Sequence, residues 1–451
     1  MGGGVSRIVL GGGGDDDLYW INQRAMGGQW DNEYTESVDV DDDGNVYVTS
    51  IRYDTFDSGY KGSSLVKLNS EGALQWQKCL TYNIPGDRTY PFEGRTVSVN
   101  SDGSSIYVTG QGDLGMLVLR YTASGVVAWA YKLGGANPNN VSYRTGITSS
   151  GDLLIQGRDA ENSDHTFITK IAPNGSLTFH SPIGKTSGDS TALVYNSKPE
   201  VDSSGNIHFV IKDNASPTPA VVKYNSSGVL QTVSDYSSDN TNEDYFSDMV
   251  VDSSGNKYIV YRRRHAGSNL NRGGVLKLNS SDAVQWGSDI FSSANAIYPK
   301  TISIHSSGDI ISCFDDRRSN SAAIITRHQS DGTLVWKREF RHSTYSMFSS
   351  ASEVVLNPNG NIVLNTYFNT GAASFNVLPV TAQLPSDGSL TGTYNNFIWA
   401  DATSISETSY SSWSKDSSSI FSAKSSTKTL SAFTNYTVGN NILVETVTNV
   451  T

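Results

Sequence analysis

Two clusters of charged residues are candidates for chemistry because they group arginines with a histidine or with carboxylates. The first cluster is Arg262, Arg263, Arg264 and His265, and the second is Asp315, Asp316, Arg317 and Arg318. Guanidinium groups bind carboxylates through paired hydrogen bonds, so these residues could hold an acidic sugar. Surface charges that pair with one another, or contacts with another subunit, are the competing interpretation, which the sequence favours.

The other motifs that could carry chemistry are incomplete. Residues 39–44 copy the opening of a calcium-binding loop, but Ser50 stands where such a loop needs its last glutamate, which favours a plain hairpin turn. The histidines show no metal-ligand spacing, and Cys79 and Cys313 are too few for a cysteine-based zinc site. We therefore predict no catalytic set, no cofactor and no metal site.

Charge and hydropathy limit the partners that the chain can have. The net charge is −11 without a basic stripe, so the sequence lacks the electrostatic footprint of a protein that binds nucleic acid. No apolar run is long enough to insert into a membrane. The apolar patch at residues 8–10 is too short for a signal peptide, so export by the general secretory route is not expected.

A repeated phrase positions both charged clusters. It consists of an apolar-alternating run, a glycine turn and a second alternating run, and its copies are 48 to 59 residues apart. A fixed period of this size is typical of solenoids and propellers. The turn glycines are Gly44, Gly103, Gly151, Gly205, Gly255, Gly308 and Gly360.

Each repeat unit predicts four short strands. In the second unit these are residues 96–99, 106–109, 115–121 and 126–130, separated by Ser-Gly and Asp-Gly pairs that favour tight hairpins. Four-stranded sheets of this kind bury their faces when they are stacked radially as blades. The sequence therefore predicts an all-β propeller, in which both charged clusters follow the second strand of their blades, in loops on one rim.

A large aromatic residue recurs at a fixed offset from the last turn position of most units. These residues are Trp76, Trp129, Phe179, Trp286 and Trp336, and Trp20 lies in an extra copy of the strand before the first unit. We predict that they pack between adjacent blades, where burying one such ring contributes about 1.5–3 kcal/mol. An exposed aromatic series that binds sugars is the alternative.

The extra strand around Trp20 predicts how the ring closes. The seventh unit has the poorest last strand, so we expect the N-terminal strand to complete its blade. This divides the chain into a Gly-rich N-terminal arm (residues 1–16), a seven-bladed propeller (17–388) and a C-terminal extension (389–451). Eight blades are the alternative, if residues 395–451 add three strands beside the N-terminal one.

The C-terminal extension departs from the repeat. It is rich in Ser, Thr, Asn and Tyr and keeps traces of alternating apolar residues, which predicts a β-rich extension or an assembly segment. Disorder is the competing interpretation. Trp399, Trp413, Phe421 and Phe433 favour burial of this segment, either in the protein or against another subunit.

The paired phrases Ser-Ser-Gly-Asn-x-Tyr and Asn-Ser-x-Gly-x-(apolar)-x-Trp resemble bacterial β-propeller repeats of the SBBP and pyrroloquinoline-quinone-like type. This resemblance covers residues 17–388 and implies a fold but no single activity. The vicinal cysteines of the quinone enzymes are absent, so no quinone is expected. Residues 384–394, Leu-Pro-Ser-Asp-Gly-Ser-Leu-Thr-Gly-Thr-Tyr, are similar to structural proteins of marine bacteriophages, which implies a virion component.

Together these features predict a non-enzymatic structural and interaction protein of a virion, located in the tail or in a host-attachment part. The propeller would display loops for protein or glycan contact. Its partners would be other virion proteins in a multi-copy assembly, with a host-surface glycan as a further partner. The alternative is a carbohydrate-binding or sialidase-like carbohydrate-active propeller, and the alternative location is a secreted or cell-surface bacterial protein.

Overall fold

The computed structural model covers most of the chain in segments. The described residues are 4–12, 18–25, 31–54, 61–81, 93–112, 115–134, 141–159, 165–185, 197–212, 218–238, 244–264, 270–317, 321–347, 353–369, 377–416, 421–424, 428, 430–432, 437–440 and 444–449. Within these segments the regular structure is entirely β, and nothing in them forms a helix long and apolar enough to cross a membrane.

The strands group into seven sheets, which are the blades of one ring. An N-terminal hairpin comes first: β1 (Gly4–Gly12) and β2 (Leu18–Ala25). Blades 1 to 3 contain β3 (Asp31–Val40), β4 (Val46–Asp54), β5 (Lys61–Leu68), β6 (Leu74–Thr81); β7 (Glu93–Val99), β8 (Ile106–Gly112), β9 (Gly115–Tyr121), β10 (Val127–Leu133); β11 (Val141–Ile147), β12 (Leu153–Asp159), β13 (His165–Ile171) and β14 (Leu177–Lys185).

Blades 4 to 6 follow the same order, and in blade 7 two short strands share the first position. They contain β15 (Glu200–Val201), β16 (Ile207–Lys212), β17 (Pro219–Tyr224), β18 (Leu230–Ser237); β19 (Tyr245–Val251), β20 (Lys257–Arg264), β21 (Asn271–Leu278), β22 (Val284–Phe291); β23 (Ile297–Ile304), β24 (Ile310–Asp316), β25 (Ala322–His328), β26 (Leu334–His342); β27 (Ser346–Met347), β28 (Glu353–Leu356), β29 (Ile362–Asn369) and β30 (Val377–Leu384).

The N-terminal strand closes the ring, as predicted. Strand β2 pairs antiparallel with β30 and takes the fourth position of blade 7, with Trp20 opposite Gln383. The seven-bladed propeller is thereby confirmed, and the eight-bladed alternative is wrong. Residues 4–12, which the sequence assigns to the N-terminal arm, form β1 on the outer side of β2 in the same blade.

Glycine makes the tight hairpins possible because it accepts the positive φ angle that they need. Gly72 has a φ of 78°, and its N–H donates to the carbonyl oxygen of Asn69 at 2.8 Å. The Asn69 side chain accepts hydrogen bonds from the N–H groups of Glu71 and Ala73 and fixes the turn from within. The Asn-Ser-x-Gly phrase is thus a self-contained turn that positions the fourth strand.

The aromatic residue of the fourth strand contacts the hairpin of the next blade. Trp20 donates its indole N–H to the Ser70 carbonyl oxygen at 3.0 Å, and a Cβ added at Gly72 would lie 2.3 Å from the indole. Because the ring covers this glycine, any side chain there would push two blades apart. The other indoles make the same hydrogen bond: Trp76 to Ala123, Trp129 to Pro173, Trp286 to Ser330 and Trp336 to Ser386.

Two junctions depart from this arrangement. Phe179, which has no N–H to donate, lies against Gly228. Between blades 4 and 5 the repeat position holds Thr232 instead of a tryptophan, and Asp282 replaces the glycine with a φ of 65°. Tyr236 donates its hydroxyl to the Asp282 carbonyl oxygen at 2.8 Å, and Lys257 forms an ion pair with the Asp282 carboxylate at 2.6 Å. The polar contact of Tyr236 with Asp282 therefore replaces the indole contact at this junction, while the Tyr236 ring packs against Phe246 of blade 5 with 5.6 Å between ring centroids.

The contact between Trp20 and Gly72 leads to a stability prediction with a matched control. Gly72→Ala is expected to lower the free energy of unfolding by about 2–5 kcal/mol, from backbone strain and overpacking together. Gly308 has a φ of 86° but nothing within 4 Å of an added Cβ, so Gly308→Ala should cost only the strain, about 1–2 kcal/mol. Urea unfolding of both variants measures the difference. Equal losses would mean that the Trp20 contact contributes nothing.

The C-terminal extension forms a belt around the outside of the ring. After β30 the chain does not form a fourth strand in blade 7 but passes to blade 6, and from there it runs backwards around the ring. The belt strands are β31 (Gly392–Tyr394), β32 (Phe397–Asp401), β33 (Ser406–Ser409), β34 (Ser414–Lys415), β35 (Phe421–Ala423), β36 (Leu430–Ala432), β37 (Thr437–Asn440) and β38 (Val444–Asn449).

Each belt strand from β32 to β37 pairs antiparallel with the fourth strand of one blade, in the order of blades 6, 5, 4, 3, 2 and 1. Strand β38 completes the circuit in blade 7 by pairing in parallel with β1. The belt thus covers the outer sheet edges, which would otherwise present unpaired backbone groups. The first and last strands that the structure describes, β1 and β38, thus meet in one blade.

Side chains fasten the belt to the blades beneath it. Trp399 is 1% exposed and Trp413 is 4% exposed, although neither belongs to a repeat. The Trp399 ring packs edge-on against Trp336 with 6.2 Å between ring centroids. Further along the belt, the Lys428 amine lies 2.8 Å from the carboxylate of fully buried Asp159. The belt is therefore packed as part of the molecule.

Candidate functional site

The strand order divides the propeller into two rims. The hairpin rim carries the glycine turns that join first to second and third to fourth strands, such as residues 41–45 and 69–73. The connection rim carries the ends of the second strands and the starts of the first and third strands, where the chain also passes between blades. The two charged clusters that the sequence singles out both lie on the connection rim.

The structure corrects the local placement of the first cluster. Arg262, Arg263 and Arg264 are not in a loop; they form the last residues of β20, so their side chains alternate between the two faces of blade 5. Arg263 is buried, donates from Nε to Asp289 at 2.9 Å and packs 3.6 Å above the Tyr410 ring of the belt. It is a packing residue, whereas Arg262 and Arg264 share the opposite face.

The second cluster is also placed differently from the prediction. Asp315 and Asp316 end β24 and are fully buried instead of lying in a loop, and the Asp315 carboxylate forms an ion pair with Lys300 at 2.8 Å. Arg317 follows the strand and is exposed. His265 and Arg318 lie outside the described residues. The two aspartates of this cluster are therefore interior residues, and Arg317 lies on the rim.

Arg262 and Arg317 come together over one aromatic ring. Tyr298, near the start of β23, has the Arg317 guanidinium 3.7 Å and the Arg262 guanidinium 5.3 Å from its ring centroid. The hydroxyl oxygen of Tyr298 accepts a hydrogen bond from Asn271 at 3.1 Å. Stacking on a ring holds a planar guanidinium in place, while its edge carries the hydrogen-bond donors. Two blades thus present ordered cations at one point of the rim.

A second polar site lies in the central channel, where the sequence analysis proposed nothing. The residue seven positions before each turn glycine lies on an innermost strand or, for Lys198, two residues before one, and all seven of these residues are polar. They are Ser37, Thr96, Arg144, Lys198, Asp248, Thr301 and Glu353. This offset is a signal that could have identified them, because a polar residue recurs at it in all seven units.

β-Bulges recur next to this polar ring. The first strands of blades 1, 2, 3, 5 and 6 each show a register shift immediately before or across the polar position. A bulge adds one residue and redirects the side chains beside it. The repeated bulge thus explains why these polar side chains turn toward the axis of the central channel, although the adjacent side chains of the same strands pack between blades.

The channel residues mostly tie adjacent blades together. Asp248 of blade 5 accepts hydrogen bonds from the N–H of Lys198 at 3.0 Å and of Ile302 at 3.3 Å, on its two sides. Glu353 of blade 7 accepts from the N–H of Val38 at 2.9 Å and pairs with Arg144 at 2.8 Å. A cavity of about 310 Å³ remains beside them.

Burial perturbs the carboxyl groups of the channel. It raises the pKa of Glu36, Glu200 and Asp248 to about 7 in each case, against ordinary values of 4.5 for glutamate and 3.8 for aspartate. Nearby cations, chiefly Arg144 for Asp248 and Lys198 for Glu200, oppose the rise without cancelling it. Such groups could exchange protons near neutral pH, but the contacts above assign the channel to ring closure.

Comparison with known proteins leaves the family open. No protein-family model matches the chain, and no curated protein matches it significantly. Among solved structures, the chain is similar to a NanB sialidase mutant of Streptococcus pneumoniae (12% identity, 84% of this chain and 69% of the other, TM-score 0.41). It is also similar to a quinoprotein alcohol dehydrogenase-like protein of Bacteroides thetaiotaomicron (10%, 75% and 88%, TM-score 0.41).

A third similar structure is a PL25 ulvan lyase bound to a glucuronate–sulfated rhamnose saccharide (10% identity, 81% of this chain and 96% of the other, TM-score 0.46). The prediction that the protein is not an enzyme is contradicted by these comparisons, because the similar propellers are a sialidase, a polysaccharide lyase and an alcohol dehydrogenase-like protein. The comparisons identify no ligand for this chain, and the choice of ligand depends on the residues of the rim.

Proposed function

We propose that the protein is a carbohydrate-active propeller that binds an anionic sugar on the connection rim of blades 5 and 6. The observation that carries this proposal is the meeting of Arg262 and Arg317 over Tyr298. Guanidinium groups recognise carboxylate and sulfate through paired, charge-assisted hydrogen bonds. Because the ring and its strand hold both groups before a ligand arrives, binding loses less side-chain entropy.

Two acidic groups near this site are paired within the blades. Asp315 is fully buried and paired with Lys300. Asp289 is fully buried and accepts hydrogen bonds from Arg263 and Arg272. Their charges are therefore balanced within the blades, while the exposed side chain next to Tyr298 is a cation.

Arg262→Gln tests the proposal. The change is expected to weaken binding of carboxylated or sulfated sugars by about tenfold or more, because one charge-assisted contact is lost. Calorimetric titration with matched charged and neutral sugars measures this, and product formation is followed in the same samples as new reducing ends or absorbing unsaturated ends. Binding of the charged sugars should also weaken with salt.

Lys67→Gln is the matched control. Lys67 also lies over a tyrosine ring, 5.2 Å from the centroid of Tyr47, but it is the next-to-last residue of β5, at the hairpin rim of blade 1. The Lys67→Gln variant should bind the sugars as tightly as the intact protein does. Equal loss in both variants, or equal binding of charged and neutral sugars, would contradict the proposal.

Placement of the protein in a virion, with other virion proteins as partners, stays a prediction from the sequence. Residues 384–394, which carry that resemblance, span the end of β30, the turn at Gly388 and β31, where the chain passes from blade 7 into the belt. In this protein these residues lead the chain out of blade 7 after β30. The fourth position of that blade is therefore open to β2. Co-sedimentation with purified particles would test the placement.

A further inference from the structure

The cations and rings of the proposed site continue beyond blades 5 and 6. Tyr245, the first residue of β19, has the Arg262 guanidinium 4.1 Å from its ring centroid and the Lys212 amine 5.0 Å from it. Lys212 is the last residue of β16 and belongs to blade 4. Lys212, Tyr245, Arg262, Tyr298 and Arg317 thus form a series in which cations from three blades alternate with aromatic rings.

On the basis of the proposed function, we infer that this series binds an extended anionic saccharide chain laid along the rim of blades 4 to 6. Consecutive cations of the series share a ring, with 3.7 to 5.3 Å between each cation and the ring centroid. They are therefore spaced for charged groups on neighbouring sugars of one chain. A single sugar can reach only one end of the series.

Length should therefore increase affinity. Once one charged sugar of a chain is held by Arg262, the next charged group meets Lys212 or Arg317 at a high effective concentration. The rings order the cations in advance, so each added contact immobilises little of the protein. Lys212 contributes to a long chain in particular, because it lies at the end of the series opposite Arg317.

The charge of the whole chain argues for saccharide over nucleic acid. Nucleic-acid surfaces gain affinity from broad basic patches that neutralise many phosphates. Here the net charge is −11, and the cations form one narrow series on the rim. A flexible chain with separated charges fits such a series better than a duplex with closely spaced phosphates.

A length series of one anionic saccharide tests the inference. Binding of a disaccharide and of a long oligomer of the same uronate is measured for the intact protein and for the Lys212→Gln, Arg262→Gln and Lys67→Gln variants. The intact protein is expected to bind the long oligomer about tenfold or more tightly than the disaccharide. Lys212→Gln should remove most of that gain, Arg262→Gln should weaken both ligands, and Lys67→Gln should change neither.

The outcomes separate this inference from the proposed function. Equal binding of short and long ligands that still depends on Arg262 would overturn the extended site and leave the sugar site intact. Failure of every anionic saccharide to bind would remove both. If single-stranded DNA of the same charge displaces the oligomer with equal affinity, the series is a general polyanion surface, and the inference is wrong.

Discussion

Trp413→Ala is expected to lower the free energy of unfolding by about 3–5 kcal/mol, although Trp413 lies beyond the seventh repeat. The indole is 4% exposed, and its ring centroid lies 5.3 Å from that of Phe246 and 5.1 Å from that of Tyr261 in blade 5. Removing it leaves a cavity between the belt and blade 5 and releases the segment between β33 and β34. Guanidinium unfolding, followed by intrinsic fluorescence and by circular dichroism, measures the loss.

Trp76→Ala is the control for this prediction. Trp76 belongs to a repeat and packs between blades 1 and 2, but it is only partly buried. If the belt is part of the cooperative unit, loss of Trp413 should cost at least as much as loss of Trp76. A loss below about 1 kcal/mol, with the belt melting in a separate transition, would show that the belt is peripheral.

The ring could be predicted from the sequence because its signal recurs seven times. The glycine turns mark each hairpin, and the missing fourth strand of the last unit matches the extra strand around Trp20, which the structure places beside β30. Local turn chemistry and strand alternation decide both features, so no information about distant contacts is needed.

The belt could not be predicted in the same way. Strands β34, β35 and β36 contain only two or three residues each, too few to show a period. Their positions depend on which outer edge lies beside them after the ring has closed. Trp399 and Trp413 indicated burial from the sequence alone, and the structure shows that the surface that buries them belongs to blades 6 and 5 of the same chain.

Part of the rim site was also accessible from the sequence. The clustering of arginines in the sequence singles out Arg262 and Arg317. That Arg263 points to the interior follows only once these residues are known to lie on a strand, along which side chains alternate between the two faces. Tyr245 and Tyr298 carry no motif, since each becomes relevant only when its own blade and the neighbouring blade both place a cation over its ring. Contacts between blades thus account for most of what the sequence analysis missed.

Raising the pH from about 6 to about 8.5 is expected to destabilise the protein by about 2–4 kcal/mol. Burial raises the pKa of Glu36, Glu200 and Asp248 to about 7, above their values in an unfolded chain. The folded state therefore holds more protons than the unfolded state in this range. The stability from these groups is fully present below about pH 4 and is lost as the pH rises through 7.

The Glu36→Gln/Glu200→Gln double variant isolates the channel. Neutral amides of the same shape should make the protein more stable at pH 8.5 and flatten the dependence of unfolding free energy on pH, because two buried charges no longer form. Glu71→Gln removes an exposed carboxylate on the hairpin rim and should leave the slope unchanged. Urea unfolding across the pH range compares the three proteins. If the double variant keeps the full slope, the channel carboxyls are already ionised in the folded ring, and the pH dependence has another source.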